Sequence, residues 1–206
     1  MATLAAERLK AAILRGEHGI GQQLREHDLC QVLGVSRIPV REALHQLAGE
    51  GLVEIRPNRG AFVSSPSKDE LREIAEVCRI LESHLLRLAV PSLKPDRIAR
   101  AEVFLETLDL IDDPLEWARV NWRFHTLLYE AAERPLIVEV LTGLRARAER
   151  AMLILVSDRE RRVALNKEHR AILASVRARR AGKAAAMLDA HLLGGRDEVL
   201  RLLGKK

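Results

Sequence analysis

Four polar side chains in the C-terminal half of the sequence could bind a metal ion. Asn121 and His125 are four residues apart, which a helix places on one face, and His169 and His191 lie on two later helical segments. If these helices pack together, three neutral imidazoles and an amide oxygen can bind Zn²⁺ or another divalent first-row metal and leave positions for water or an anion. Scattered histidines are also common as hydrogen-bonded core or surface residues, so the spacing alone leaves both interpretations open.

A second group of residues, near the N-terminus, could contact nucleic acid. Arg37, Arg41 and His45 are spaced four residues apart, so a helix aligns them on one face. The arginine side chain can donate two hydrogen bonds to O6 and N7 of guanine in the major groove. For an isolated pair of arginines, the alternative interpretation is a solvated helix face. The opposite face of this helix is apolar and can pack on a core, through Val40, Ala43, Leu44 and Leu47.

The segments around this basic face predict a helix-turn-helix. Residues 4–15 suit a first helix, and glycines then force a loop before a second short helix over 25–33. Gly34 stands where a left-handed C-cap turns the chain, and Ser36 is placed to cap a third helix that carries Pro39 in its first turn. Two helices joined by such a turn present the N-terminal residues of the second helix to a major groove.

A β-hairpin is predicted after the third helix. Residues 52–56 and 61–63 alternate in polarity on either side of the turn Pro57–Gly60. This hairpin would form the wing of a winged helix-turn-helix, and Arg59 at its tip could reach a minor groove or a phosphate.

The chain beyond the hairpin has the pattern of an all-helical bundle. A small, polar segment at 63–67 marks a domain boundary, which divides the chain into residues 1–66 and 67–206. Gly194–Gly195 should break the last helix of the bundle. The signals that start or separate about six helices are Ser67 with Glu70, Lys94–Asp96, Asp113–Glu116, Arg134–Pro135, the capping-box pair Ser157 and Glu160, and Ala181–Lys183.

Composition narrows the class of protein. The 206 residues are 48% hydrophobic but only 3% aromatic, which favours helix over sheet, and no apolar stretch is long enough to span a bilayer. Cys30 and Cys78 are too few and too far apart for a disulfide framework or a CxxC site. We therefore expect a cytoplasmic protein. The net charge of +5 is not itself evidence for DNA binding, because residues 1–66 hold eight basic against seven acidic side chains.

The N-terminal pattern closely resembles the GntR family of bacterial transcription factors. The resemblance rests on Gly34–Leu44 and Asn58–Val63, and it covers about residues 4–66. Ile38 stands where the family usually has threonine, so apolar contact to a thymine methyl could replace a hydroxyl contact. His27 stands where family members often have a basic or polar contact residue. The resemblance implies further DNA contacts for Ser36, Arg37, Arg41, Arg59 and Gly60.

The C-terminal pattern resembles the all-helical (FCD) effector domain of the FadR-type subfamily. This resemblance covers about residues 70–192 and rests on Arg79 with Glu82, Asn121-x-x-Phe124-His125, Glu168-His169-x-x-Ile172 and His191-Leu192. It implies that Asn121, His125, His169 and His191 bind a divalent metal, and that Arg79 and Asn166 contact a carboxylate effector.

One metal-ligand position departs from the family pattern. Asn121 replaces the more usual aspartate, and an amide oxygen binds a divalent cation less strongly than a carboxylate. Neutral ligands around a dication also leave the site positively charged, which favours an anionic ligand.

Together these patterns predict a mainly α protein with a winged helix-turn-helix and an all-α bundle for effector binding and dimerisation. The expected function is a homodimeric, ligand-responsive regulator, acting as a repressor on an inverted-repeat DNA operator. A metal-dependent hydrolase is one alternative, but the sequence has no HExxH, and Glu168 beside His169 should point away from the metal face. A ligand-free architectural DNA-binding protein is the other.

Overall fold

The computed structural model describes residues 1–64 and 66–204, so Ser65 within the predicted boundary segment lies outside the described residues. The chain divides into two compact units. The first contains Met1–Ser67 with Ala146–Arg150, and the second contains Lys68–Arg145 and the chain from Ala151 onward. None of the helices among the described residues is long and apolar enough to cross a membrane.

The N-terminal unit has the winged helix-turn-helix architecture that the sequence predicts. The helix α1 packs on α3, where Ala5 and Ala6 form a buried cluster with Ala43. The sheet order is β1-β3-β2, and both strand pairs are antiparallel. The elements are α1 (Ala2–Leu14), β1 (Gln23–Leu24), α2 (Glu26–Leu33), α3 (Arg37–Gly49), β2 (Val53–Arg56) and β3 (Gly60–Val63).

The turn between α2 and α3 confirms the predicted glycine cap but not the predicted serine cap. Gly34 has φ 67° and ψ 34°, a left-handed conformation that suits glycine, and its N–H donates to the carbonyl of Cys30. Ser36 precedes the helix, but its hydroxyl makes no capping hydrogen bond. A serine cap commonly accepts from the second or the third helical N–H, and here the third residue is Pro39, which has none. The hydroxyl of Ser36 is therefore left for another partner.

The C-terminal unit is an all-α bundle, as the sequence predicts. Asp113 caps one helix by accepting from the N–H of Glu116 at 2.7 Å, but the predicted capping box at Ser157 is wrong. The Asp158 side chain is the cap there, accepting from the N–H of Glu160 at 2.9 Å. The helices are α4 (Lys68–Ala89), α5 (Pro95–Leu110), α6 (Pro114–Tyr129), α7 (Pro135–Val156), α8 (Arg159–Arg177) and α9 (Ala181–Leu203), with a 3₁₀ turn at Glu130–Ala132.

The predicted break at Gly194–Gly195 is wrong, because α9 continues through both glycines to Leu203. Each glycine costs a helix only about 1 kcal/mol relative to alanine, and tertiary packing can offset that cost. The helix packs along α4 and α8, and Gly195 is buried where an added Cβ would lie 3.7 Å from the Leu155 side chain. The uninterrupted α9 holds His191 within a regular helix.

The helix α6 is the most enclosed helix of the bundle. Trp117, Phe124 and Leu128 on α6 are almost completely buried, and so is Tyr129 at its last position. Buried residues cover most of the α6 surface, and only one side, which carries charged residues, is exposed to solvent. This placement brings Asn121 and His125 into the core.

Candidate metal centre and candidate nucleic-acid interface

Three histidines from different helices meet inside the C-terminal bundle. His125 of α6, His169 of α8 and His191 of α9 each offer a ring nitrogen, and these nitrogens lie within 4.8 Å of one another. The Nε2 atoms of His169 and His191 are 3.2 Å apart. Three imidazole nitrogens at this spacing can converge on one divalent cation.

Unpartnered polar atoms occur on two of these histidines and on Asn121, one helical turn before His125. Oδ1 of Asn121, Nε2 of His125 and Nδ1 of His169 are buried, and none has a hydrogen-bond partner among the described residues. A buried polar atom without a partner costs about 1–3 kcal/mol, so native structures keep few of them. A cation would accept lone pairs from Nε2 of His125 and from the Asn121 oxygen one helical turn away, and so would give two of these atoms a partner.

Electrostatics keep two of the imidazoles neutral. Burial lowers the pKa of His125 and of His169 well below the usual range, and the charges of neighbouring groups, including Arg145, lower both further. A neutral imidazole is the form that binds metal, so neither ring has to lose a proton near neutral pH.

A carboxylate orients the third histidine. Nδ1 of His191 lies 2.6 Å from Oε2 of Glu168. This hydrogen bond holds the pKa of the Glu168 carboxyl below its usual value. The prediction that Glu168 points away from the site is therefore only half correct. It does not join the three ring nitrogens, but its long side chain reaches from α8 to the far side of the α9 imidazole. Such an outer partner leaves Nε2 of His191 available to a metal.

Sequence reasoning missed a buried polar group next to His125. The Tyr129 hydroxyl lies 3.1 Å from Nδ1 of His125 and donates to Glu82 at 2.6 Å. Arg145 of α7 donates to the same carboxylate at 3.1 Å and lies over the ring of Trp122. The sequence signals were the four-residue spacing from His125 to Tyr129 and the presence of Glu82 in the family pattern, but neither indicated this contact.

The two residues predicted to contact an effector are engaged elsewhere in the bundle. Arg79 donates to Asp189 of α9 at 2.7 Å, and its Nε is buried without a partner among the described residues. Asn166 donates to the carbonyl of Leu105 and to Asp109, both on α5. The guanidinium whose charge acts on both buried imidazoles belongs instead to Arg145.

The basic face predicted on α3 is exposed in the N-terminal unit. Arg37, Arg41 and His45 are all exposed, and Ile38 beside them has 70% of its surface accessible despite its apolar side chain. Ser36 is also exposed. A groove of about 650 Å³ separates α2 and α3 from the wing, and its lining brings together His27, Arg37, Arg41, His45 and Gly60.

Two contacts fix the shape of this surface, and the sequence did not reveal either. Glu26 in the first turn of α2 accepts from Nε of Arg41, with its two oxygens at 2.8 and 2.9 Å. Gln23 of β1 donates to the backbone carbonyl of Arg59 at 2.8 Å and so ties the wing turn to the sheet. Gly60 has φ 90°, a conformation that disfavours other residues at this point of the wing.

Comparisons with known proteins match both units. The model of the FCD domain matches residues 73–194, and that of bacterial regulatory proteins of the gntR family matches residues 2–63. The chain is 29% identical over 195 residues to the HTH-type transcriptional regulator BphR of Paraburkholderia xenovorans, covering 90% of this chain and 80% of that protein. It is also 29% identical over 200 residues to the HTH-type transcriptional repressor GlaR of Escherichia coli, covering 90% and 89% respectively.

A solved structure shows the same fold. The E. coli protein McbR/YncC aligns over 97% of both chains with a TM-score of 0.80 and 23% identity. These families and relatives are transcriptional regulators and not enzymes, which removes the hydrolase alternative. The chain therefore belongs to the GntR family of bacterial transcriptional regulators, with an N-terminal GntR DNA-binding domain and a C-terminal FCD domain.

Proposed function

We propose that the protein is a homodimeric repressor that binds an inverted-repeat operator and responds to a small carboxylate held beside a divalent metal. The observation that carries the ligand response is the set of unpartnered buried atoms around His125, His169 and Asn121. We assign DNA binding to residues 1–66 and effector binding with dimerisation to residues 67–206.

The exposed end of α3 is the proposed reader of base sequence. Arg37 and Arg41 would donate to guanine O6 and N7, and Ile38 would contact a thymine methyl. His27 and His45 border the same groove as the two arginines. The uncapped hydroxyl of Ser36 and the wing residues Arg59 and Gly60 would contact the DNA backbone or the minor groove.

An exposed stripe on α4 supports the homodimer. Glu73, Val77, Ile80, His84 and Arg87 follow one another at three- or four-residue spacing and are all exposed, with Ile80 at 56%. Glu73 and Arg87 each lie seven residues from Ile80. A second copy packed antiparallel about Ile80 would therefore bury the apolar centre and pair each glutamate with the opposite arginine. A twofold interface requires such self-complementarity.

The charge of the candidate metal centre supports a carboxylate effector. Three imidazoles and the Asn121 amide are neutral ligands, so a bound dication would keep its full charge in a buried site. A carboxylate would compensate that charge, and Arg79 and Asn166 are its proposed protein contacts. Arg79 would then exchange Asp189 for the effector. The relative GlaR is a transcriptional repressor, and by analogy we assign repression to this protein. We expect the effector to release DNA.

DNA recognition is tested by selecting binding sites from a random duplex library. The affinity for the enriched site is then compared with that for scrambled DNA at one physiological salt concentration. We expect an inverted repeat bound about 10³-fold or more tightly than scrambled DNA. Equal, steeply salt-dependent affinity for both would instead support a ligand-free architectural protein.

Metal binding is tested on purified protein by titration with Zn²⁺ against a chromophoric chelator. The wild type should bind about one equivalent, and His125→Ala should lose most of the affinity. The matched control is His18→Ala, which removes an imidazole from the N-terminal unit. Equal binding by all three proteins would contradict the assigned ligands.

A further inference from the structure

A chain of buried hydrogen bonds leads from His125 across three helices. Nδ1 of His125 lies 3.1 Å from the hydroxyl of Tyr129, which lies 2.6 Å from Oε2 of Glu82. Arg145 donates to both oxygens of Glu82, at 3.1 and 3.3 Å. We call these hydrogen bonds, from His125 through Tyr129 and Glu82 to Arg145, the relay. The relay joins α6 to α4 and ends on α7.

The donors and acceptors of this relay can be arranged in only one way. Glu82 is completely buried and paired with a guanidinium, and a carboxylate in that state only accepts hydrogen bonds. The single proton of the Tyr129 hydroxyl must then go to Glu82, so the phenol oxygen is the acceptor toward His125. Nδ1 of His125 consequently carries the proton, and Nε2 keeps a lone pair.

We propose that Tyr129, Glu82 and Arg145 are positioning residues that hold His125 in the tautomer and ring orientation required to bind a divalent cation through Nε2. The proposal rests on the metal part of the proposed function. It agrees with the placement of Nε2, which is buried and has no other partner among the described residues.

The three histidines differ in how they are held. His191 has a carboxylate directly on its Nδ1, whereas Nδ1 of His169 has no partner among the described residues. For His125 the carboxylate of Glu82 is not in direct contact, and the Tyr129 hydroxyl lies between them. The neutral phenol separates the Glu82 charge from the imidazole, and Arg145 compensates that charge within the bundle.

Burying this ion pair is not the simplest way to stabilise the fold. A buried pair commonly stabilises a protein no more than apolar side chains of the same volume, because both charges lose their hydration. The Glu82 carboxylate nevertheless lies inside the bundle, and only Tyr129 separates it from the candidate metal ligand His125. A role in orienting His125 explains this position.

The test compares Zn²⁺ affinity, measured by chelator competition, in the wild type, Tyr129→Phe and Ser83→Ala. Tyr129→Phe keeps the ring and removes the hydroxyl, and we expect a loss of about 10- to 100-fold. Ser83→Ala removes a buried hydroxyl that has no partner among the described residues, and it should bind like the wild type. Tyr129→Phe affinity within about twofold of wild type would overturn the relay alone. A wild type that binds no metal would overturn both the relay and the proposed metal centre.

A second measurement does not depend on the stability of a variant. Tyr129 is the only tyrosine of the chain, so ultraviolet resonance Raman spectroscopy of the wild type reports this hydroxyl alone. We expect the signature of a phenol that donates a strong hydrogen bond, and a shift when Zn²⁺ is added. The signature of a phenol that donates no hydrogen bond would overturn the relay.

Discussion

At the scale of single residues, Asn121 determines the charge of the candidate metal centre. Its amide oxygen is buried without a partner among the described residues, one helical turn from His125. A carboxylate at this position would strengthen metal binding, but it would be an uncompensated charge in the metal-free protein. The amide therefore balances metal affinity against the stability of the empty bundle.

Replacing this amide with a carboxylate should raise the metal affinity and lower the stability of the metal-free protein. We expect Asn121→Asp to raise Zn²⁺ affinity by about tenfold, or about 1.4 kcal/mol. It should also lower the metal-free unfolding free energy by about 2 kcal/mol or more. Thermal denaturation with and without Zn²⁺ measures both effects. Ser175→Asp is the matched control, because it also charges a buried polar position but lies outside the histidine cluster and should not raise metal affinity; a gain there would refute the special role of Asn121.

Arg37 provides the corresponding test at the DNA interface. Arg37→Ala should weaken binding to the selected operator by about 1–3 kcal/mol for each base that the arginine reads, and weaken binding to scrambled DNA much less. Arg100→Ala removes the same charge from the exposed surface of α5 and should leave the preference for the operator unchanged. Equal reductions in affinity for both DNAs in Arg37→Ala would show that Arg37 binds only phosphates.

At the scale of secondary-structure elements, α9 shows that helix propensity is weak compared with packing. Gly194 lies within a continuous helix, and a Cβ added there would meet nothing within 4 Å. Gly194→Ala should therefore stabilise the protein by about 0.5–1 kcal/mol. Urea denaturation measures the change. A loss of stability would mean that α9 has to bend or open at this point.

Patterns within one element were predictable, and contacts between distant elements were not. The left-handed cap at Gly34, the Asp113 cap and the shared face of Asn121 and His125 all follow from local spacing. The pair of Glu82 and Arg145 is separated by 63 residues, so its formation depends on which helices become neighbours. Periodicity tells which face of a helix is buried, but it does not specify the partner of that face.

Local sequence patterns also failed to predict two features of the N-terminal unit. The strand β1 is only two residues long, and it forms because β3 offers an edge for pairing, not because its sequence alternates. At Ser36 the usual capping residue is present, but Pro39 removes one of the two N–H groups from which it could accept.

At the scale of the whole molecule, the homodimer depends on the stripe on α4. Ile80→Asp would place two carboxylates together at the proposed twofold axis, and such a contact costs several kcal/mol. We expect the dimer dissociation constant to rise by about 100-fold or more, measured by size-exclusion chromatography with light scattering. Val103→Asp on α5 is the control, because Val103 is similarly exposed. An unchanged dimer in Ile80→Asp would place the interface elsewhere.

The most direct test of a ligand-responsive regulator is operator affinity measured with and without bound ligand. The selected operator is titrated with wild type and with His125→Ala, each with and without Zn²⁺ and a panel of small carboxylates. We predict that one carboxylate, together with Zn²⁺, weakens operator binding by the wild type by about 5- to 150-fold, the usual range of allosteric coupling, and has no effect on His125→Ala. An operator affinity that stays constant while Zn²⁺ and the carboxylate are bound would contradict the account.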